Sequence, residues 1–314
     1  MAAAVIRPNL FVVGQPKSGT TALQKYLAEH PAIFMTTPKE PHYFCRDFHG
    51  SSDEFHGRQL YYDYRTEREW LSLFERAAGE RVQGEASTSY LYSRDAAAGI
   101  YAFNREARII MMLREPVSFL ASLHSHYFRA TLEDAPTVAS AWRAETERRG
   151  GRGLPARVRA PELVLYSERV RYWQQLQRYL TLFPREQIKV VLFEDFRRDN
   201  EGTLADVLNF LGVEPAPAFH SREVNTNSAP RWPRLNRWLL APALKQRLRQ
   251  ALSPAHYERL ISIARLVLWQ RAPAAPVAPA LAAEIWEACH DEVEKLGHFL
   301  GRDLAVEWGA PVRS

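Results

Sequence analysis

Short apolar runs alternate with amphipathic stretches along the first two thirds of the chain. Several runs are apolar at consecutive positions, which is typical of strands buried in a parallel sheet. We assign strands to residues 10–13, 32–35, 81–90, 107–113 and 187–193, the third of them running into a polar loop. Helical periodicity predicts helices over residues 20–30, 70–77, 117–129 and 166–183, and another that ends at Gly212. This alternation predicts an α/β fold with a doubly wound parallel sheet flanked by helices.

We expect residues 1–314 to form one domain, with a core over about residues 8–214. Residues 131–161 interrupt this core with a segment rich in arginine, alanine and glycine. That insertion is interpreted either as a mobile cover over the site or as a partly disordered surface loop. The remaining part, residues 215–314, is predicted to be a helical extension, with a basic helix around Lys245 and an amphipathic last helix over residues 280–300 that packs back onto the sheet.

A glycine-bracketed turn joins the first strand to the first helix. Gly14 and Gly19 have the spacing of a Walker A loop, but Thr20 stands where its lysine belongs, and Lys17 lies inside the loop instead. Backbone N–H groups and the helix dipole converge at such a turn and form an anion site. The displaced lysine favours a phosphate-like group without the γ-phosphate and magnesium of a nucleoside triphosphate. The turn therefore predicts a P-loop-type sheet with a modified loop.

Two further segments carry candidate chemistry. Arg114 follows the strand at 107–113, and Ser122 lies eight residues further on, so that both side chains could bind one phosphate. Residues 39–44 read Lys-Glu-Pro-His-Tyr-Phe and form a proline-rigidified loop. Glu40 in this loop, if its pKa is raised in a pocket beside the anion site, is a reasonable general base.

These segments resemble the sulfotransferases that use 3′-phosphoadenosine 5′-phosphosulfate (PAPS), and among them the bacterial proteins similar to heparan sulfate sulfotransferases. The resemblance covers about residues 10–212, with a weaker match near residues 301–308. It implies that Glu40 is the base and that His42 assists it. It also implies that PAPS is the sulfuryl donor and that 3′-phosphoadenosine 5′-phosphate (PAP) is the product. The residues that the resemblance assigns to the donor site are Lys17, Ser18, Gly19, Thr20, Thr21, Arg114, Ser122 and Arg231.

The chain departs from this family pattern at two places. Phe119 stands where the family has a second basic residue beside Arg114, and Ala86 stands where a lysine usually follows the glutamate at Glu85. Lys39 and Glu85 are assigned to acceptor binding. The expected acceptor is a hydroxyl group of a glycan, glycolipid or glycosylated metabolite, and an amine acceptor remains open.

The composition limits the kinds of binding partner and the cellular compartment that we expect for this protein. The net charge is +5, and the excess of arginine suits planar or tetrahedral oxyanions. The charge alone would allow nucleic acid, but no recognised nucleic-acid module occurs, so we expect no such partner. Two cysteines, an N-terminus unlike a signal peptide and no apolar run of about 20 residues predict a cytoplasmic protein without a transmembrane segment.

Three functions remain to be weighed. The favoured one is a metal-independent sulfotransferase, and no metal site is expected because His42, His49 and His56 lack partners at ligand spacing. A P-loop kinase or NTPase would need magnesium, for which Asp195 is a weak candidate ligand. A non-catalytic protein that binds phosphate or lipid through the basic helix near Lys245 is the third, and it would imply peripheral membrane contact.

Overall fold

Five parallel strands form the centre of the structure, a computed structural model that describes residues 8–214, 228–230, 269–271 and 276–311. Their order across the sheet is β2-β3-β1-β4-β5. The strands are β1 (Leu10–Gly14), β2 (Ile33–Met35), β3 (Val82–Ala86), β4 (Arg108–Leu113) and β5 (Ile188–Leu192). Each of the five predicted strands is thus present, and the third of them ends at Ala86. Two short antiparallel strands, β6 (Ser228–Pro230) and β7 (Trp269–Arg271), form a separate pair.

Helices connect the strands and cover both faces of the sheet. They are α1 (Thr20–Ala28), α2 (Arg46–His56), α3 (Glu67–Leu71), α4 (Ala96–Phe103), α5 (Pro116–Arg129), α6 (Val138–Arg143), α7 (Glu145–Arg149), α8 (Tyr166–Arg169), α9 (Tyr172–Leu180), α10 (Phe193–Arg198), α11 (Asn200–Leu211), α12 (Pro279–Leu300) and α13 (Leu304–Glu307). Short 3₁₀ turns occur at Ser72–Phe74, Pro161–Val164 and Arg185–Gln187. None of the helices in the described ranges combines the length and apolar character needed to cross a membrane.

Two hydrophobic clusters lie on opposite faces of the sheet, because successive side chains of a strand point to opposite sides. Leu10 and Val12 of β1 contribute to the cluster with α1 and α11. Phe11 and Val13 contribute to the larger cluster, which includes residues of α2, α5, α9 and α12. Both faces of every strand are therefore covered, and the prediction of a doubly wound parallel sheet is confirmed.

Several helices differ from their sequence predictions. The helix predicted over residues 166–183 is divided at Val170 and Arg171 into α8 and α9. The one predicted over residues 70–77 begins earlier, at the capping box of Thr66, and continues as a 3₁₀ turn. The amphipathic helix predicted over residues 280–300 is α12, and it packs on α5 and α9 rather than directly on the strands. The basic helix around Lys245 lies outside the described residues.

The insertion at residues 131–161 is folded. It contains α6 and α7, and a buried ion pair within it places Arg148 Nη2 2.6 Å from Glu133 Oε1. Arg148 Nη1 also donates to this carboxylate at 2.8 Å, and Tyr166, which follows the insertion, donates to it at 3.0 Å. Because both charges are buried and satisfied, loss of either partner would leave an uncompensated charge. The interpretation of this segment as a partly disordered loop is therefore wrong.

A buried carboxylate in β3 organises the loop that leads into α2. Glu85 accepts hydrogen bonds from Trp70 Nε1 (3.0 Å), Tyr90 Oη (2.7 Å) and Ser87 Oγ (2.7 Å). Two of these donors in turn accept backbone N–H groups, Ser87 from His42 at 3.0 Å and Tyr90 from Phe44 at 3.3 Å. Glu85 thus fixes this loop at two points through intermediate hydroxyl groups.

We expect Glu85 to make the free energy of unfolding fall as the pH rises. Burial raises the pKa of Glu85 to about 7, although the donors from Tyr90, Ser87 and Trp70 partly offset this effect. The stabilisation is complete below the ordinary pKa of 4.5 and is lost as the pH rises to about 7. The loss is at most roughly 3–4 kcal/mol, because one pKa unit corresponds to about 1.4 kcal/mol.

Urea unfolding of the wild type and of Glu85→Gln across this pH range measures the effect. The variant cannot ionise at this position, so its stability should depend less steeply on pH than that of the wild type. Equal slopes for the two proteins would contradict the prediction.

Candidate active site

A cavity of about 360 Å³ lies at the carboxyl edge of the sheet, where the connections after β1, β2, β3 and β4 meet. This is where ligands bind in open parallel sheets, because the strand order reverses direction beside β1. The cavity is lined by Pro16, Lys17, Gly19, Thr20, Thr21, Lys39, Glu40, His42, Tyr62, Thr88, Ser89, Arg114, His126, Tyr127, Leu132, Val158, Arg159, Leu163, Phe193 and Arg197.

The loop after β1 presents its backbone to this cavity. Gly19 caps α1 with φ of 90°, and a Cβ atom there would lie 3.1 Å from Met112 Cε and 3.2 Å from Phe196 Cδ1. Only glycine adopts this conformation without strain in so little space. Gly19, Thr20 and Thr21 line the cavity, so the start of α1 lies at its edge, as an anion site at a helix N-terminus requires. Ser18 is fully buried, and its hydroxyl has no hydrogen-bond partner among the described residues.

Two cations lie at this loop, Lys17 within it and Arg114 beside it. Arg114 Nη1 donates to the carbonyl of Lys17 at 3.1 Å, Arg114 Nε donates to Ser118 Oγ at 3.0 Å, and the guanidinium lies 4.6 Å from the centre of the Phe193 ring. Burial lowers the pKa of Lys17, and the neighbouring charges of Arg129 and Arg114 lower it further. Because these positive charges gather at the loop, an anion bound there would be favoured.

Glu40 enters the same cavity from the loop after β2. Its Oε1 accepts a hydrogen bond from Thr88 Oγ1 at 2.8 Å, and its Oε2 lies 3.6 Å from His42 Nε2. Glu40 and His42 both have positive φ angles, of 62° and 56°, and the backbone N–H of Glu40 donates to the carbonyl of Ala86 at 3.1 Å. The network from Glu85 holds this unusual loop conformation in place.

The pKa of Glu40 is not raised, contrary to expectation. Burial disfavours its ionised form, but the contacts with His42, Lys39 and Thr88 outweigh burial and hold the pKa of Glu40 well below its usual range. The carboxylate is therefore ionised at neutral pH and able to accept a proton. An anion bound beside Lys39 would offset part of this positive field and make the carboxylate more basic.

Lys39 contacts the anion loop, although it was assigned to acceptor binding. Its Nζ donates to Thr20 Oγ1 at 3.0 Å and to Thr21 Oγ1 at 2.9 Å, and it lies 3.9 Å from Glu40 Oε1. Glu85 does not line the cavity and is completely buried, so a direct contact with an acceptor is excluded in this conformation. Its assignment to acceptor binding is corrected to a structural role.

For Ser122 and Arg231, both assigned to the donor site, the structure gives no contact that supports the assignment. Ser122, which was expected to bind one phosphate together with Arg114, is 1% exposed and does not line the cavity, and Arg114 Nε donates to Ser118 Oγ instead. The role of Ser122 stays a prediction. Arg231 lies outside the described residues.

Several lining residues were missed by the sequence analysis. Thr88, the partner of Glu40, lies in the polar loop after β3, and its position at a strand's carboxyl end was an available signal. Arg159 and Arg197 add exposed cations, and Tyr62 and Tyr127 add aromatic surface. Arg159 comes from the insertion, whose fold no local pattern indicated.

The candidates for metal chemistry have other partners. His49 Nε2 lies 2.9 Å from the carbonyl of His42, and His56 Nε2 lies 2.8 Å from the carbonyl of Val158. Asp195, the candidate magnesium ligand of a kinase, forms ion pairs with Arg198 and Arg302 and does not line the cavity. Its carboxylate is therefore directed away from the role that a P-loop kinase would require.

Comparisons with known proteins agree with this arrangement. Heparan sulfate glucosamine 3-O-sulfotransferase 3B1 of Mus musculus is 27% identical over 207 residues, which are 66% of this chain and 46% of that protein. Carbohydrate sulfotransferase 15 of Mus musculus is 25% identical over 292 residues, covering 72% and 49% of the two chains. The chain thus spans about half the length of the curated relatives that it matches.

A solved structure matches almost the whole chain. The sulfotransferase from Alicyclobacillus acidocaldarius superposes with a TM-score of 0.67 and 27% identity, over 97% of this chain and 100% of that one. The model of the "Sulfotransferase family" matches residues 8–217, which include the sheet and every cavity-lining residue described above. The anion loop, the placement of Glu40 and this match lead to one conclusion: the chain belongs to the sulfotransferase family.

Proposed function

We propose that this protein transfers the sulfuryl group of PAPS to a hydroxyl group of a carbohydrate or glycosylated acceptor. One observation carries the proposal: an ionised carboxylate, Glu40, shares a cavity with a cationic anion loop that has no Walker lysine. Family membership supports sulfuryl transfer, and the names of the relatives support a carbohydrate acceptor. An amine acceptor would use the same base and stays an outcome of the test.

The donor side of the cavity suits the two phosphate-like groups of PAPS. Lys17 and the N–H groups of Ser18 and of the start of α1 would hold the 5′-phosphosulfate. Arg114 is fixed by Lys17 and Ser118 at the neighbouring strand end, and would hold the 3′-phosphate. The donor supplies an activated sulfuryl group, and the protein supplies its orientation and the surrounding charge.

The reaction would proceed as a direct in-line displacement. The acceptor oxygen forms a bond to sulfur while the bond from sulfur to the 5′-phosphate oxygen breaks, and the electron pair of that bond leaves with PAP. Glu40 accepts the proton of the acceptor hydroxyl. Lys17 and the N–H groups of α1 stabilise the charge that develops on the leaving oxygen. Because a sulfuryl group carries less negative charge than a phosphoryl group, these cations suffice without a divalent ion.

The opposite side of the cavity suits a sugar. Tyr62 and Tyr127 offer flat apolar surface, Leu132 and Val158 extend it, and Arg159 adds a cation at the opening. Apolar walls with a few placed polar groups are typical of small-molecule sites. The cation favours an acceptor that carries an anionic substituent.

Single-turnover transfer from radiolabelled PAPS tests the proposal directly. The acceptor panel should contain a heparan-type oligosaccharide, a neutral glycoside and an amino sugar with a free amine, each assayed with and without a metal chelator. We expect a sulfated carbohydrate product that is insensitive to the chelator. Absence of any sulfated product, together with magnesium-dependent binding of ATP and none of PAP, would overturn the proposal.

Glu40→Gln should separate chemistry from binding. Glutamine preserves the size of the side chain but cannot accept the proton, so turnover should fall by roughly 10²–10⁴-fold, the usual range for general-base catalysis. The affinity for PAP, measured by calorimetry, should stay nearly unchanged. Glu29→Gln, an exposed position just beyond the far end of α1, is the matched control. Near-native turnover of Glu40→Gln would show that another group is the base.

Arg114→Ala should reduce discrimination between ligands with and without the 3′-phosphate. Loss of a charge-assisted contact typically costs about 1.5–3 kcal/mol. Titrations of the wild type and the variant with PAP and with adenosine 5′-phosphate should therefore show a loss for PAP only. An exposed arginine of α3, replaced in Arg68→Ala, provides the control. An equal loss for both nucleotides would assign Arg114 a purely structural role.

A further inference from the structure

Lys39 lies between the anion loop and Glu40 in the candidate active site. It lies on the loop after β2, whereas the anion loop follows β1. Its ammonium group nevertheless donates to the hydroxyls of Thr20 and Thr21, the first two residues of α1, at 3.0 and 2.9 Å. The same nitrogen lies 3.9 Å from Glu40 Oε1. The ammonium group of Lys39 therefore contacts both the anion loop and the proposed base.

In-line transfer requires the sulfur to pass through this region. The leaving oxygen lies at the anion loop, the acceptor oxygen lies within hydrogen-bond reach of the base, and the moving group lies between them. Lys39 uses two of its three N–H donors on neutral hydroxyls, so one N–H remains for a ligand, and its charge is offset only by Glu40 at 3.9 Å. Burial lowers the pKa of Lys39, and a bound anion would restore it.

The other cations of the cavity, as far as the described residues show, are less well placed. Arg114 is bonded to the carbonyl of Lys17 and to Ser118 on the β4 side. Arg159 and Arg197 are exposed, and no contact with Glu40 or the anion loop is seen for either. At the end of β3, beside Glu40, the buried residue is the uncharged Ala86. Lys17 belongs to the anion loop itself, and no ion pair with Glu40 is seen for it. Among the described residues, Lys39 is the cation that contacts both the loop and the base.

We propose that Lys39 is a catalytic residue that binds the oxygens of the sulfuryl group during transfer, and not an acceptor-binding residue. This inference rests on the proposed function. As the bond from the acceptor oxygen to sulfur forms and the bond to the 5′-phosphate breaks, Lys39 stabilises the charge shared by the sulfuryl oxygens and exchanges no proton. The proton goes to Glu40, and the electron pair leaves with PAP.

The alternative is a structural role, in which Lys39 only ties the loop after β2 to α1. Three substitutions separate the two roles. Lys39→Met removes both the charge and the hydrogen bonds, Lys39→Gln retains a donor for the threonine hydroxyls without the charge, and Lys39→Arg retains the charge. Lys25→Met, at an exposed lysine of α1, is the matched control.

The experiment combines single-turnover transfer from radiolabelled PAPS with calorimetric titration of PAP and a thermal melt of each variant. We expect Lys39→Met and Lys39→Gln to lose roughly 10²–10³-fold in turnover, the usual effect of removing one preorganised partner of developing charge. Lys39→Arg should retain more activity than either. The affinity for PAP should change little in all three, because PAP lacks the sulfuryl group.

Each possible result either supports or contradicts the proposed role of Lys39. Loss of PAP affinity in parallel with turnover would make Lys39 a phosphate-binding residue, and near-native turnover of Lys39→Gln would make it a structural tie; both overturn the inference. If Lys39→Met fails to fold, the comparison of Lys39→Gln with Lys39→Arg decides. If the wild type and Lys25→Met transfer no sulfuryl group to any acceptor, the proposed function itself fails, which is distinct from failure of Lys39 alone.

Discussion

The parallel direction of the strands is the constraint on which the site depends. Parallel strands end at the same edge of a sheet, so the loops after β1, β2, β3 and β4 meet in one cavity. Each loop contributes to the site: Lys17 follows β1, Lys39 and Glu40 follow β2, Thr88 follows β3 and Arg114 follows β4. The apolar residues of both faces hold these strand ends in register, and the geometry of the site is a consequence of the packed core.

Two carboxylates near this edge have opposite environments and opposite roles. Glu40 is reached by Lys39, His42 and Thr88, and these contacts favour its ionised form. Glu85 is completely buried among neutral donors, and burial favours its protonated form. The ionised carboxylate faces the cavity, and the buried one fixes the backbone of the loop that carries it. Pairs of acids separated in this way by their surroundings are typical of enzyme sites.

The two sides of the cavity are formed by different parts of the chain. The anion loop, which the proposed function assigns to the donor, belongs to the connection between β1 and α1. The opposite side includes Leu132, Val158 and Arg159 of the insertion, which the buried pair of Glu133 and Arg148 holds in a folded state. Changes in this insertion would therefore alter the acceptor wall without disturbing the anion loop.

Local sequence patterns determined the strands, the modified loop around Lys17 and the candidate roles of Glu40 and Arg114, because apolar runs and loop motifs act over short stretches of chain. The contacts of Lys39 with Thr20 and Thr21, the contact of Thr88 with Glu40 and the burial of Glu85 were decided only by the tertiary structure. These contacts join loops from different strands. The sign of a pKa shift depends on the charges and burial that such loops bring together, so the low pKa of Glu40 could not be read from its neighbours in the sequence.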